Sequence, residues 1–212
     1  MYQLLVSGTV LGLFLQVVPI TCLVGVLYAV WRYGKIRRGS PFSGWGPEAV
    51  RLLFVCYLTG LVNLVLVPNN LWTAIWAYLF IGYSGCQVGP LFTLEFNLVP
   101  RLFLWATGQI TLGSWTKTML VGNILMFLPM GFFLPLVSGK MRGGNILKAA
   151  LLIPVAVEIF QPLVGRSFDV DDILCNLLGI LAGFGIFMVL ERMAPRMVEK
   201  FQSHPRENRK RQ

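Results

Sequence analysis

Charge is the scarcest commodity in this 212-residue chain: 13% of its residues are charged and 56% are apolar. A soluble domain carries about 25% charged residues, so the shortfall excludes a chain solvated on all sides. Acidic residues are scarcer still, nine in all. Histidine is nearly absent, and the lone His204 sits in a charged tail, which argues against a zinc site or a histidine general base. The four cysteines show neither disulfide nor metal spacing: Cys22, Cys56 and Cys175 fall in apolar runs and Cys86 stands alone.

What is present is apolar sequence in long runs. Tyr2 to Trp31 contains no charged residue, more than the roughly 20 residues a bilayer core requires. No basic residue precedes this run and it is too long for a signal-peptide core, so it reads as a retained first span. Further spans are expected at about 52–67, ending on Pro68-Asn69-Asn70, at 120–137, at 146–164 and at 173–190. Residues 71–115 differ from all of these. Leu71 to Tyr83 is about half a span long and rich in Trp and Tyr, which favour the headgroup level. Gly85 to Trp115 mixes Pro90, Glu95, Pro100 and Arg101 with aromatics, as a loop region lying on the membrane would. Residues 191–212 form a basic tail, polar enough at its end to stay disordered.

The net charge of +9 does not imply nucleic acid, because the basic residues flank the apolar runs. With five spans and the amino terminus outside, fifteen of the eighteen Lys and Arg residues fall on the cytoplasmic side, leaving Arg101, Lys117 and Arg166 outside. Counting Leu71–Tyr83 as a sixth span leaves eight inside and ten outside, against the positive-inside rule. The expected architecture is therefore an all-α integral membrane protein of the cell membrane. It has five transmembrane helices, an interfacial helix and loop region on the outer side at 71–115, and a carboxyl terminus inside.

The scarce acids are concentrated. Arg166, Asp169, Asp171 and Asp172 occupy one seven-residue stretch between spans four and five, on the outer side. Glu158 lies inside span four, where an ionisable group is expensive and marks function by default. Gln161, three residues on, shares its helix face, and Pro154 one turn earlier loosens that helix. Asp172, Asn176, Gly179 and Gly183 fall on one face of span five, and Asn123, Phe127 and Gly131 on one face of span three. Polar groups from three spans thus meet at one depth.

Structural readings compete for several of these positions. Asp169 followed by Asp172 fits an N-cap with an acid in the first helical turn. Asn123 and Asn176 suit interhelical hydrogen bonding, and Gly179 with Gly183 suits close helix packing. Arg166 suits pairing with a neighbouring carboxylate. Capping does not account for Glu158, whose cost a protonated form or an Arg166 pair would lower. Four acids beside one Arg leave excess negative charge, which suits a divalent cation held by oxygens, although no EF-hand spacing is present, or a cationic ligand.

NILMFLPMG (Asn123–Gly131), EIFQ (Glu158–Gln161) and RSFDVDDILCNLLG (Arg166–Gly179) resemble the three signature blocks of the VanZ-like family. FNLVP (Phe96–Pro100) is similar to that family's upstream Asn-Leu-hydrophobic-Pro element. The resemblance implies a bacterial integral membrane protein, of a family whose namesake lowers susceptibility to teicoplanin-type lipoglycopeptides. By motif it carries over Asn123, Phe127, Pro129, Gly131, Glu158, Gln161, Arg166, Asp169, Asp172 and Asn176, with Phe168 inside the third block. Two functions follow as expectations. One is a non-enzymatic protein whose outward acidic site alters how a lipoglycopeptide engages the outer leaflet. The other is a divalent-metal-dependent membrane enzyme on a lipid-linked envelope precursor. There Glu158 would be general acid or base, Asp169 and Asp172 metal ligands, and Arg166 a phosphate clamp. No activated Ser, Cys or His nucleophile supports the enzyme. A scaffold or transporter component is a third option, without any inverted repeat to favour it.

Overall fold

The computed structural model describes residues 10–68 and 70–203. Among them, five helices are long and apolar enough to cross a membrane. They are α1 (Val10–Arg37), α2 (Trp45–Val65), α5 (Ser114–Val137), α6 (Gly144–Phe160) and α7 (Val170–Met193). Three shorter helices accompany them: α3 (Leu71–Ile81), α4 (Arg101–Ala106) and α8 (Pro195–Phe201). Two two-residue strands, β1 (Phe96–Asn97) and β2 (Phe168–Asp169), pair in parallel. The chain is thus an all-α membrane bundle, and the sole sheet among the described residues is this short clasp.

Lipid offers no hydrophobic drive between helices, so the bundle depends on close packing and hydrogen bonds. The α5–α7 pair shows how. A Cβ on Gly131 would run into the Ile180 carbonyl, one on Gly179 into that of Ile124, and one on Gly183 into that of Leu128. Each backbone lies where the other's side chain would be. Phe127, Met130, Leu61, Val65, Ile146, Ala150 and Ile180 fill the centre between α2, α5, α6 and α7. On α6 the buried stripe is Ile146, Ala150, Pro154 and Glu158, a strict four-residue spacing that carries the acid into that centre. The outward faces remain apolar, as at Leu27, Val30, Leu53, Leu152 and Val189.

The ends of the bundle differ in chemistry. At one end Glu48 takes Arg32 through two bonds of 2.6 and 2.8 Å and Arg51 through a third of 2.9 Å. Arg51 also donates to Ser203, whose backbone N–H reaches the Leu136 carbonyl at 3.0 Å. Arg142 pairs with Glu191 at 2.7 Å. These bonds explain one departure from expectation. Helix α2 starts at Trp45 rather than near 52, because Glu48 is paired there with Arg51 of the same helix and Arg32 of α1. The tail begins with α8, which packs Val198 beside Val50, Leu136 and Phe187. Residues 2–9 of the expected first span, Asn69, and residues 204–212 of the tail lie outside the described residues.

Helix boundaries elsewhere also run beyond the expected spans. Helix α5 begins at Ser114 and α7 covers Val170–Met193, and α6 passes into a 3₁₀ turn at Gln161–Val164. Residues 71–115 hold the short helix α3, then extended chain to β1, then α4. Helix α3 is fixed to α1 by Gln16, whose amide donates to Thr73 and whose carbonyl accepts from Trp76.

The glycine contacts set a direct test. Gly183→Ala should lower the unfolding temperature of the purified protein in detergent, with an overpacking penalty of about 1–3 kcal/mol. Gly185, whose added Cβ meets nothing within 4 Å, should tolerate Ala with a change within about 0.5 kcal/mol. Equal effects at the two positions would remove close approach as the basis of the α5–α7 pair.

Candidate functional site

At the end of the bundle away from the ion pairs, α6 must turn and start α7. Gly165 makes the turn with φ of +74°, and its Cα faces the Pro90 carbonyl so closely that no Cβ would fit. Asp169 then caps α7, its Oδ1 accepting from the Asp171 N–H at 2.9 Å. The capping expected of this residue is present. Its side chain has a second task, because Oδ2 accepts from the Asn97 amide at 3.2 Å.

Glu158 is completely buried. Its Oε2 accepts from the Asp169 N–H at 3.0 Å. The Gln161 amide is oriented by its surroundings. With NH2 toward the carboxylate it donates to both oxygens at 3.0 and 3.2 Å, against a single 3.4 Å bond to the Val65 carbonyl in the opposite orientation. A carboxylate accepts and an amide donates, so the first arrangement satisfies both.

Asp171 is 3% exposed. Its two oxygens accept from the N–H groups of Arg101 and Leu102 at 2.7 and 3.1 Å. These are the first N–H groups of α4, unpaired by the helix itself. Asp172 accepts from the Asn123 amide across the α5–α7 contact. Asn176, one turn further along α7, is 3% exposed and its Oδ1 has no partner.

Segment 90–106 forms a strap across this corner. The Thr93 N–H donates to the Pro162 carbonyl, the Phe168 N–H to that of Glu95, and β1 lies in register Phe96↔Phe168 and Asn97↔Asp169. Phe96 and Phe168 hold ring centroids 6.0 Å apart. Leu91, Phe92, Leu94, Phe103 and Trp105 leave the strap exposed and apolar.

The structure therefore brings Glu158, Gln161, Asp169, Asp172 and Asn123 into one corner, and turns Asp171 to the strap. Arg166 forms no ion pair with a described carboxylate and its buried Nε has no acceptor. Burial pulls its pKa below the usual guanidinium value, while Asp172 and Glu158 act in the opposite direction. Phe127 is buried beneath the corner. Pro129 lines an apolar crevice of about 370 Å³ between α1, α2 and α5, with Phe14, Val17, Tyr57 and Leu61. Asn97 and the N–H groups of Arg101 and Leu102 were not among the expected site residues. The signal was Asn97 in FNLVP followed by a Pro-started helix, whose first N–H groups need an acceptor.

A divalent-cation cage does not fit these residues. Among the described residues no three His, Cys, Asp or Glu groups converge as metal ligands do. The carboxylates are directed to separate N–H donors instead.

A sequence model of the VanZ/LLP1 family matches residues 54–191, from mid-α2 almost to the end of α7. The protein belongs to this resistance-associated membrane family. No curated protein and no solved structure matches the chain.

Removing the Asp171 carboxylate should loosen the strap while sparing the bundle. Asp171→Ala is expected to cost about 1–2 kcal/mol, the usual loss for a helix cap. Hydrogen exchange would speed up across residues 95–106, with the α5–α7 amides unchanged. Uniform exchange along the chain would show instead that Asp171 supports the whole fold.

Proposed function

We propose that this protein lowers susceptibility to teicoplanin-type lipoglycopeptides, without catalysis, from a site at the outer leaflet. The observation that carries the reading is the position of the acidic corner, at the bundle end opposite the clustered basic residues. By the positive-inside rule that end faces outward. Family membership supplies the link to resistance. The ligand chemistry is complementary as well. Carboxylates at Glu158, Asp169 and Asp172 favour an amine, and exposed Leu91, Phe92, Leu94 and Trp105 on the strap favour an acyl chain.

For the metal-dependent enzyme, Asp169 and Asp172 would have to bind a cation alongside the hydrogen bonds they already accept. Asp169 is engaged by Asn97 and Asp171, and Asp172 by Asn123.

Expression in a sensitive strain should raise resistance to teicoplanin by several dilution steps and leave vancomycin, which has no acyl chain, unaffected. Glu158→Gln and Asp172→Asn, at equal membrane abundance, should each abolish the protection. An unchanged teicoplanin response with the unmodified chain would sink this function.

A further inference from the structure

Two buried polar atoms in the corner are without partners, and they are of opposite kinds. Arg166 Nε is a donor lacking an acceptor, and Asn176 Oδ1 an acceptor lacking a donor. An unsatisfied buried group costs about 1–3 kcal/mol, and such a group in a native protein calls for an explanation, a bound water, ion or ligand among them. Asp172 adds a third open position. Asn123 occupies its Oδ1, and its Oδ2 has no bond to a described residue. Asp172 and Asn176 are four residues apart on α7 and so share a face. Asp172 is also the carboxylate that acts most strongly on Arg166.

We propose that this corner holds the headgroup of a lipid in which a phosphodiester carries a tethered primary ammonium. The phosphate meets Arg166, whose fork of donors suits phosphate oxygens. The ammonium, with three donors and no acceptor, meets the free oxygens of Asp172 and Asn176. A phosphate alone would face Glu158, Asp169 and Asp172 with one Arg to offset them. An amine alone would leave Arg166 unpaired. A water molecule would satisfy Asn176 but supply no charge to either neighbour. The surroundings favour a lipid, since the strap is exposed and apolar. An apolar crevice, lined by Phe14 and Val17 of α1, Tyr57 and Leu61 of α2 and Leu125 and Pro129 of α5, adds further apolar surface to the bundle. The inference concerns the same corner as the proposed function but needs neither an antibiotic nor a particular sidedness.

The test uses the full chain, purified and delipidated, then offered three lipids with identical acyl chains. These are phosphatidylethanolamine, alanyl-phosphatidylglycerol and plain phosphatidylglycerol, with retention read by native mass spectrometry. At least one aminated lipid should be retained about tenfold more than phosphatidylglycerol, a preference of about 1.4 kcal/mol. Which one is retained identifies the source of the headgroup. Arg166→Gln and Asn176→Leu should each bring retention down to the phosphatidylglycerol level at unchanged unfolding temperature. Arg166→Lys, which keeps the charge and loses the fork, should fall between. If Asn176→Leu fails to fold, the two Arg166 variants carry the same comparison. Equal retention of all three lipids, or a preference that survives both Arg166 variants, would overturn the proposal. Lipid selection without any teicoplanin shift would refute the antibiotic role and leave this site standing.

Discussion

A carboxylate enclosed in a membrane bundle must be given hydrogen-bond donors, and Glu158 is enclosed completely. An unpaired charge there would cost several kcal/mol. Its donors are the Gln161 amide and the Asp169 backbone N–H. The second can reach it only if the chain reverses sharply between α6 and α7, which the 3₁₀ turn and Gly165 accomplish. That reversal presents Asp169 in extended conformation, so it can both cap α7 and pair with Asn97. The strap is thereby placed, and Asp171, next in the first turn of α7, holds α4. A single buried acid thus organises two connections far apart in sequence, the α6–α7 turn and the strap.

The same constraint accounts for what could be read without coordinates. Spans were legible because length and absence of charge are one-dimensional properties, and the five long helices lie where the apolar runs are. Boundaries failed where charges cancel in space. Glu48 falls before the apolar run that begins near Leu52, yet Arg32 from another helix makes it tolerable inside α2. Asp169 was recognisable as a cap because capping is local. That Asp171 holds the strap could not be read locally, since it depends on Arg101 and Leu102, some seventy residues earlier. A two-residue strand such as Phe96–Asn97 has no periodicity to detect, and its partner is equally short.

The glycines and the acids are parts of one arrangement. Gly131, Gly179 and Gly183 bring α5 and α7 together closely enough for Asn123 to reach Asp172 at their shared end. A wider spacing would leave that carboxylate beside lipid without a donor. Close packing lower in the bundle is therefore a condition for the polar chemistry above it. This explains why one face of α7 is polar at its start, with Asp172 and Asn176, and small further along, with Gly179 and Gly183.

The two ends of the bundle satisfy their acids by different means, and the difference bears on function. At the basic end Glu48 and Glu191 are neutralised by arginines, charge against charge. At the other end the donors are neutral: the amides of Asn97, Asn123 and Gln161 and the backbone of Asp169, Asp171, Arg101 and Leu102. Neutral donors orient a carboxylate and stabilise it without cancelling its field. Arg166, the single cation in the corner sequence, stands near Asp172 yet forms no ion pair. A purely structural cluster would gain by closing that pair, as the opposite end does. Leaving it open keeps a cationic and an anionic group apart and available, which is the arrangement that a ligand carrying both charges would complete.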